Sequence, residues 1–150
     1  IFPKLPLLRH MGNSVFFTQG SAINHSLSIG RKNLVQEVKM NGLSVFSLHL
    51  STFSQQIRKR QLKEIKDIAE KREEYILAGD LNLHKSQKEI KGLKEITGNK
   101  VNSPGKTFPA RKPSQKLDLV VNSENLKVKN LKDLGNRFSD HRPIVFEVER

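Results

Sequence analysis

An Asn-Gly pair at residues 41 and 42 divides two runs that alternate apolar and polar residues, LVQEVKM (34–40) and LSVFSLHL (43–50). A two-residue hairpin turn needs positive φ at both central positions, and Asn followed by Gly is the pair that tolerates it best. Period-two alternation on either side is the signature of a strand with one face inward. Residues 34–50 are therefore predicted to form a β-hairpin.

Around this hairpin, strand and helix patterns alternate. Residues 13–18 (NSVFFT) read as a strand. Residues 54–72 read as a helix, because Ile57, Leu62, Ile65, Ile68 and Ala69 fall mostly at three- and four-residue steps, and Ser54 suits its N-cap. EYILAG (74–79) reads as a short buried strand. A shorter helix is expected over 86–96, with Gly98 near its end. Residues 99–115, rich in Asn, Pro, Gly, Ser and Lys, read as a long loop. KLDLVV (116–121), 126–130 and PIVFEV (143–148) complete the strands, with Pro143 where a missing N–H is tolerated. Neither repeat nor low-complexity linker interrupts the pattern. It describes one mixed α/β or α+β domain over 1–150.

Composition narrows the chemistry. The chain has no cysteine, which excludes disulfides, zinc–thiolate sites and thiol catalysis. Lys and Arg number 27 against 15 acids, a formal charge of +12 that attracts polyanions, whether nucleic acid or an anionic membrane surface. Surface lysine serving only solubility gives the same balance, and the lysines are spread rather than gathered in a tail. Aromatic residues make up 6% of the chain, too few for a base-stacking platform. No apolar run approaches the ~20 residues of a membrane span, and no signal-peptide pattern is present, so the cytoplasm is the expected compartment.

Four polar clusters lie at ends of predicted strands, where side chains converge across the rim of a sheet. His49 interrupts the apolar SLHLS. Asp80 and Asn82, in Gly79-Asp80-Leu81-Asn82, follow a buried strand and can point the same way. They suit a phosphate, a metal-bound water or a divalent ion, or else an Asx turn closing the strand. Asp118, flanked by Leu and Val in KLDLVV, is costly without a partner, and a histidine N–H would serve. In Ser139-Asp140-His141-Arg142-Pro143, a histidine beside a carboxylate suits a general base at a metal site. Each cluster also has a plain reading: a satisfied core histidine, a turn, an outward-facing edge carboxylate, a polar loop.

Their order is more specific than any one of them. HLS, a helix with R-x-x-Q at Arg58 and Gln61, ILAGDLN, TFP, KLDLVV and SDHRPIVFEV together resemble the endonuclease/exonuclease/phosphatase superfamily, from about Gly12 to Arg150. The resemblance implies a DNase I-like four-layer sandwich, and hydrolysis of phosphoesters with Mg²⁺ (or Mn²⁺). It implies His141 as the base that aligns water, Asp118 as the carboxylate orienting it, and Asp80 and Asn82 as groups positioning the nucleophile and a phosphoryl oxygen. His49 would stabilise phosphoryl oxygens or assist the leaving group, and Asp140 would stand near the metal, reached through water. The superfamily pattern opens with an Asn and a metal-binding Glu that have no counterpart here. The resemblance thus implies a domain lacking its N-terminal strands and an incomplete metal site. Glu37 lies on a later strand and is not assigned to the metal.

The expected activity is that of a phosphodiesterase acting on nucleic acid, as a monomer. A phospholipid, sphingomyelin or phosphoinositide phosphoesterase, meeting a headgroup or membrane surface, is the alternative. A non-catalytic binding module is the alternative from another class. Lys106, Arg111, Lys112 and Lys116 on the long loop form either a phosphate-backbone track or solvated charge. Arg31, His10, His25 and His84 read as surface residues.

Overall fold

The computed structural model describes residues 15–30, 33–83, 87–135 and 138–150. Six strands form one sheet: β1 (Ser21–Ser26), β2 (Leu34–Met40), β3 (Leu43–His49), β4 (Glu74–Asp80), β5 (Lys100–Asn102) and β6 (Asp118–Asn122), in the order β1-β2-β3-β4-β6-β5. Helix α1 (Gln55–Ala69) crosses from β3 to β4, and these two strands run parallel while all other neighbours run antiparallel. Helix α2 (Gln87–Thr97) lies between β4 and β5 in sequence, and β7 (Lys127–Asp133) and β8 (Ile144–Glu149) form a separate two-stranded sheet.

The predicted hairpin is present. Asn41 and Gly42 both have positive φ, 48° and 82°, and Met40 pairs with Leu43 across the turn. In α1, Ser54 accepts a hydrogen bond from the Ile57 N–H as N-cap, and Leu62, Ile65 and Ala69 are buried.

Alternation along the strands sorts side chains between two faces. Phe46, Leu48, Leu77, Leu119 and Val121 join the helix-side core with Leu62, Ile65 and Leu93. Ile76 and Val120 face the other way, with Val45 and Ala78, and pack beneath Val128, Leu131, Phe146 and Val148 of the β7–β8 pair. Among the described residues the protein therefore shows three layers of a sandwich: helices, a six-stranded sheet and a two-stranded sheet.

Two expectations are corrected. Residues 15–20 are irregular rather than a strand, and Phe16 is 95% exposed; residues 13 and 14 lie outside the described residues. The strand in this region is β1, whose sequence SAINHS is largely polar because most of the strand is exposed at the sheet edge. His25 is also not a plain surface residue. It sits on β1, its Nε2 is 2.7 Å from Glu37 Oε2, and its ring packs near Phe46. His10, Arg31 and His84 lie outside the described residues.

Glu37 belongs to a fastening on the helix side of the sheet. It pairs with Phe46 in register, is fully buried, and accepts from Arg72 Nε and Nη2 at 2.8 and 3.1 Å and from Ser44 Oγ at 2.8 Å. Burial pushes its carboxyl up, but Arg72, His25 and Ser44 outweigh that and hold it down at about 2.

Candidate active site

Register places three of the expected residues on one rung. His49 on β3 pairs with Asp80 on β4, and Asp80 pairs with Asp118 on β6. Cross-strand partners share a face, and period two assigns it: Asp80 lies with Ile76 and Ala78, and Asp118 with Val120. The rung is thus at the sheet end, on the face covered by β7 and β8. Glu37 is on the opposite face, which physically separates it from this site.

The close approach of β3 and β4 explains the glycine of the GDLN motif. Gly79 has φ 137°, and a Cβ there would stand 2.1 Å from the Leu48 carbonyl oxygen, so only glycine fits.

Beyond Asp80 the chain turns sharply at Asn82, whose φ is 49°. The Asn82 N–H donates to Asp80 Oδ1 at 2.9 Å, and its side-chain amide donates to the Leu50 carbonyl at 2.9 Å and to Asp80 Oδ2 at 3.2 Å. The Asx turn weighed from the sequence is real, and it aims the Asp80 carboxylate.

His141 arrives from the connection between β7 and β8. Its Nδ1 is 2.9 Å from Asp118 Oδ2 and its Nε2 is 3.7 Å from Asp80 Oδ2, while His49 Nε2 lies 3.4 Å from the same Asp80 oxygen. An ionised carboxylate only accepts, so the Asp118 contact puts the proton on Nδ1 and leaves Nε2 able to accept one. The Phe108 ring packs against His141 at a centroid distance of 4.8 Å.

Thr107 is a residue whose role the sequence did not reveal. It is fully buried, and its hydroxyl donates to Asp118 Oδ2 at 2.5 Å, the oxygen that also meets His141. The TFP motif was its only sequence signal. Arg58 and Gln61 are placed away from the rung as braces. Arg58 Nη1 donates to the Ser51 carbonyl at 3.0 Å, and Gln61 links the Ser51 N–H to the Ile29 carbonyl.

Asp140 stands apart from the cluster. It is exposed and accepts from Ser139 Oγ at 2.9 Å; that hydroxyl holds its carboxyl below the ordinary range, with the neighbouring His141 adding to the effect. Asp80 and Asp118 are hard oxygen donors of the kind Mg²⁺ accepts. Among the described residues, however, no three His, Asp or Glu side chains converge as a metal site. The residues present supply at most part of one.

Burial pushes the Asp80 carboxyl up and the Asp118 charge adds to this, while the Asn82 N–H, His141 and His49 pull it down; the net direction is up. A folded pKa above the unfolded one means that ionised Asp80 costs stability at neutral pH, a cost removed on protonation. Asp80→Asn is therefore expected to raise Tm at pH 7. The gain should shrink as pH falls from the raised folded value toward the ordinary carboxylate range, and be gone below that range. A lower Tm at pH 7, measured by circular dichroism, would contradict this electrostatic account.

Beside Asp118 and His141, a trough of about 810 Å³ opens between the two sheets, walled by Val45, Ala78, Ile144 and Phe146.

In three dimensions the chain is similar to β toxin from Staphylococcus aureus (20% identity, TM-score 0.55, covering 76% of this chain and 56% of that one). It is also similar to cytolethal distending toxin from Haemophilus ducreyi (14%, TM-score 0.63, 89% and 60%). A third is a mannosyl-6-phosphatase from Bacteroides thetaiotaomicron (16%, TM-score 0.58, 78% and 55%). The fold is DNase I-like. The chain spans 55% to 60% of the length of these three structures. No protein-family model matches it, and no curated protein matches it in sequence. The DNase I-like fold accounts for the sheet-on-sheet packing that brings His141 over the rung. A β toxin structure of this fold carries bound magnesium ions.

Proposed function

We propose that the protein is a metal-dependent phosphoester hydrolase, a phosphodiesterase that cleaves nucleic acid. The observation that carries this is the arrangement around Asp118: His141 Nδ1 at 2.9 Å, with the Nε2 of the same ring facing Asp80 at 3.7 Å. That is an oriented base beside a carboxylate, the pairing a water nucleophile needs.

In this reading, Asp118 accepts from His141 Nδ1 and from the Thr107 hydroxyl, fixing the ring and its tautomer. Water bound between His141 Nε2 and Asp80 gives its proton to Nε2 as its oxygen bonds to phosphorus. The bond from phosphorus to the leaving oxygen breaks, and His49 stabilises the phosphoryl oxygens or protonates that oxygen. Asn82 holds the Asp80 carboxylate in place. Mg²⁺ or Mn²⁺ would supply positive charge to the phosphoester when bound, and Asp140 is the carboxylate that would stand near it.

The test is cleavage of supercoiled plasmid DNA by the intact protein in Mg²⁺ and in EDTA. Nicking in Mg²⁺ that EDTA stops is the expected result. A folded protein that leaves plasmid intact in both Mg²⁺ and Mn²⁺ would remove the nuclease reading, and hydrolysis of neither nucleic acid nor lipid would leave a non-catalytic binding module.

A second reading rests on two side chains. Phe53, four residues beyond His49, and Phe138, three before His141, are 95% and 92% exposed. Apolar tips beside a phosphoesterase site suit a phospholipid or sphingomyelin headgroup presented at a membrane surface. Release of phosphocholine from sphingomyelin vesicles, lost in Phe53→Ser with Phe138→Ser, would favour it.

A further inference from the structure

The connection from β5 to β6, residues 103–117, carries four cations and no acid: Lys106, Arg111, Lys112 and Lys116. All four side chains are exposed. Some cations elsewhere on the surface are neutralised, as in Lys66–Glu70, Lys129–Glu149 and Arg150–Glu74. Among the described residues, none of the four loop cations has a carboxylate within ion-pair distance. A merely solubilising lysine face does not require that local exclusion of acids.

The loop is also held against the site. Thr107 bonds Asp118, and Phe108 packs on His141. The Ala110 N–H donates to the Asp140 carbonyl at 2.7 Å, and Arg142 Nε donates to the Ala110 carbonyl at 3.0 Å. Internally, the Ser114 and Gln115 N–H groups both donate to the Phe108 carbonyl, at 2.8 and 2.9 Å. The loop cations are thus fixed relative to the rung rather than carried on a free arm.

We propose that loop 103–117 is a backbone clamp: Lys106, Arg111, Lys112 and Lys116 bind the phosphates flanking the scissile diester of a nucleic acid strand. This rests on the hydrolytic reading above and names the element that selects a polymer over a small ester. The loop's own apolar residues point away from a membrane role. Ala110 and Leu117 are buried, and Phe108 is half-buried against His141. A membrane-binding loop turns such side chains outward. Phosphate contacts position a strand without reading its bases, so binding should be indifferent to sequence and steep in salt.

The experiment compares the intact protein with a variant carrying Lys106→Gln, Arg111→Gln, Lys112→Gln and Lys116→Gln. Three probes are used: a fluorescent DNA duplex in EDTA read by anisotropy, bis(p-nitrophenyl) phosphate hydrolysis in Mg²⁺, and phosphatidylserine vesicles. Each phosphate contact contributes about 0.9 to the slope of log K against log salt, so the variant's slope should flatten by about 3 to 4. Its duplex Kd should rise at least about tenfold, while turnover of the small diester stays unchanged. Lys106→Arg, Lys112→Arg and Lys116→Arg together should keep wild-type duplex binding. An unchanged slope and Kd overturns the clamp. So does lost vesicle binding with intact DNA binding, or a small-diester rate that falls as far as DNA binding does. Duplex binding that follows the predicted pattern in a protein that hydrolyses neither probe sustains the clamp and sinks the hydrolytic reading.

Discussion

Replacing His141 with alanine is expected to reduce kcat for a phosphodiester by about 10²–10⁴, the usual contribution of a positioned general base. KM should move little, because the ring contacts the attacking water rather than the rest of the substrate. The fold should persist, since His141 belongs to a connecting segment and the apolar contacts between sheets come from other residues. Asp118→Asn is the informative companion. Asn can present an amide N–H to the ring nitrogen, which reverses the tautomer and leaves Nε2 protonated. It should therefore approach the alanine variant in rate while keeping the geometry. Steady-state kinetics on bis(p-nitrophenyl) phosphate measure both. If His141→Ala retained more than about a tenth of wild-type kcat, another group must take the proton, and the assignment of His141 as base would fail.

The second large effect is on stability. Glu37→Gln is expected to cost about 3 kcal/mol, since removing one partner of a buried ion pair leaves the other charge uncompensated. Arg72 is the stranded partner, because the glutamine amide carries no charge and offers one acceptor oxygen where the carboxylate offered two. Tm should fall by roughly 6–12 °C in a chain of this size. Replacing both residues, Glu37→Met with Arg72→Met, should recover part of that loss. The same cluster fixes a pH window. The Glu37 carboxyl titrates near 4.5 when unperturbed and is held at about 2 in the fold. Its contribution is present in full above the unfolded value and is lost as pH falls from there toward the folded one, amounting to about 3 kcal/mol. Acid titration of wild type and Glu37→Gln should therefore converge in stability at the low end. Parallel curves down to that end would mean the carboxylate is not the stabilising group.

The site was legible to the extent that it rests on strand geometry. His49, Asp80 and Asp118 each belong to a cluster at the end of a predicted strand, so the strand pattern placed them near a common rim before any register was known. Asp80–Asn82 and His141 followed from short motifs whose backbone needs are strong: Gly79 lies where a Cβ has no room, and Asn82 adopts positive φ. Pairings between distant positions were not legible. Glu37 meets His25 and Arg72 across 12 and 35 residues, and Thr107 meets Asp118 across a loop of turn-forming residues. β1 was missed because an exposed edge strand carries little apolar pattern. NSVFFT was misread because aromatic content favours a strand, whereas Phe16 and Phe17 are exposed on irregular chain. Asp140 came with the site through the family resemblance, as a carboxylate near a metal reached through water, and its exposed side chain meets Ser139.

His141 and the rung belong to different layers of the sandwich. His49, Asp80 and Asp118 are fixed within the six-stranded sheet, whereas His141 is delivered by the β7–β8 pair. Their alignment thus depends both on the 103–117 loop that holds residues 140–142 and on how Val128, Leu131 and Phe146 seat on Ile76 and Val120, several strand positions away. On the proposed hydrolysis, turnover would gauge that seating. An ångström of slip would part Nδ1 from its carboxylate while every strand stayed intact, so the protein has a way to lose its chemistry well before it loses its shape.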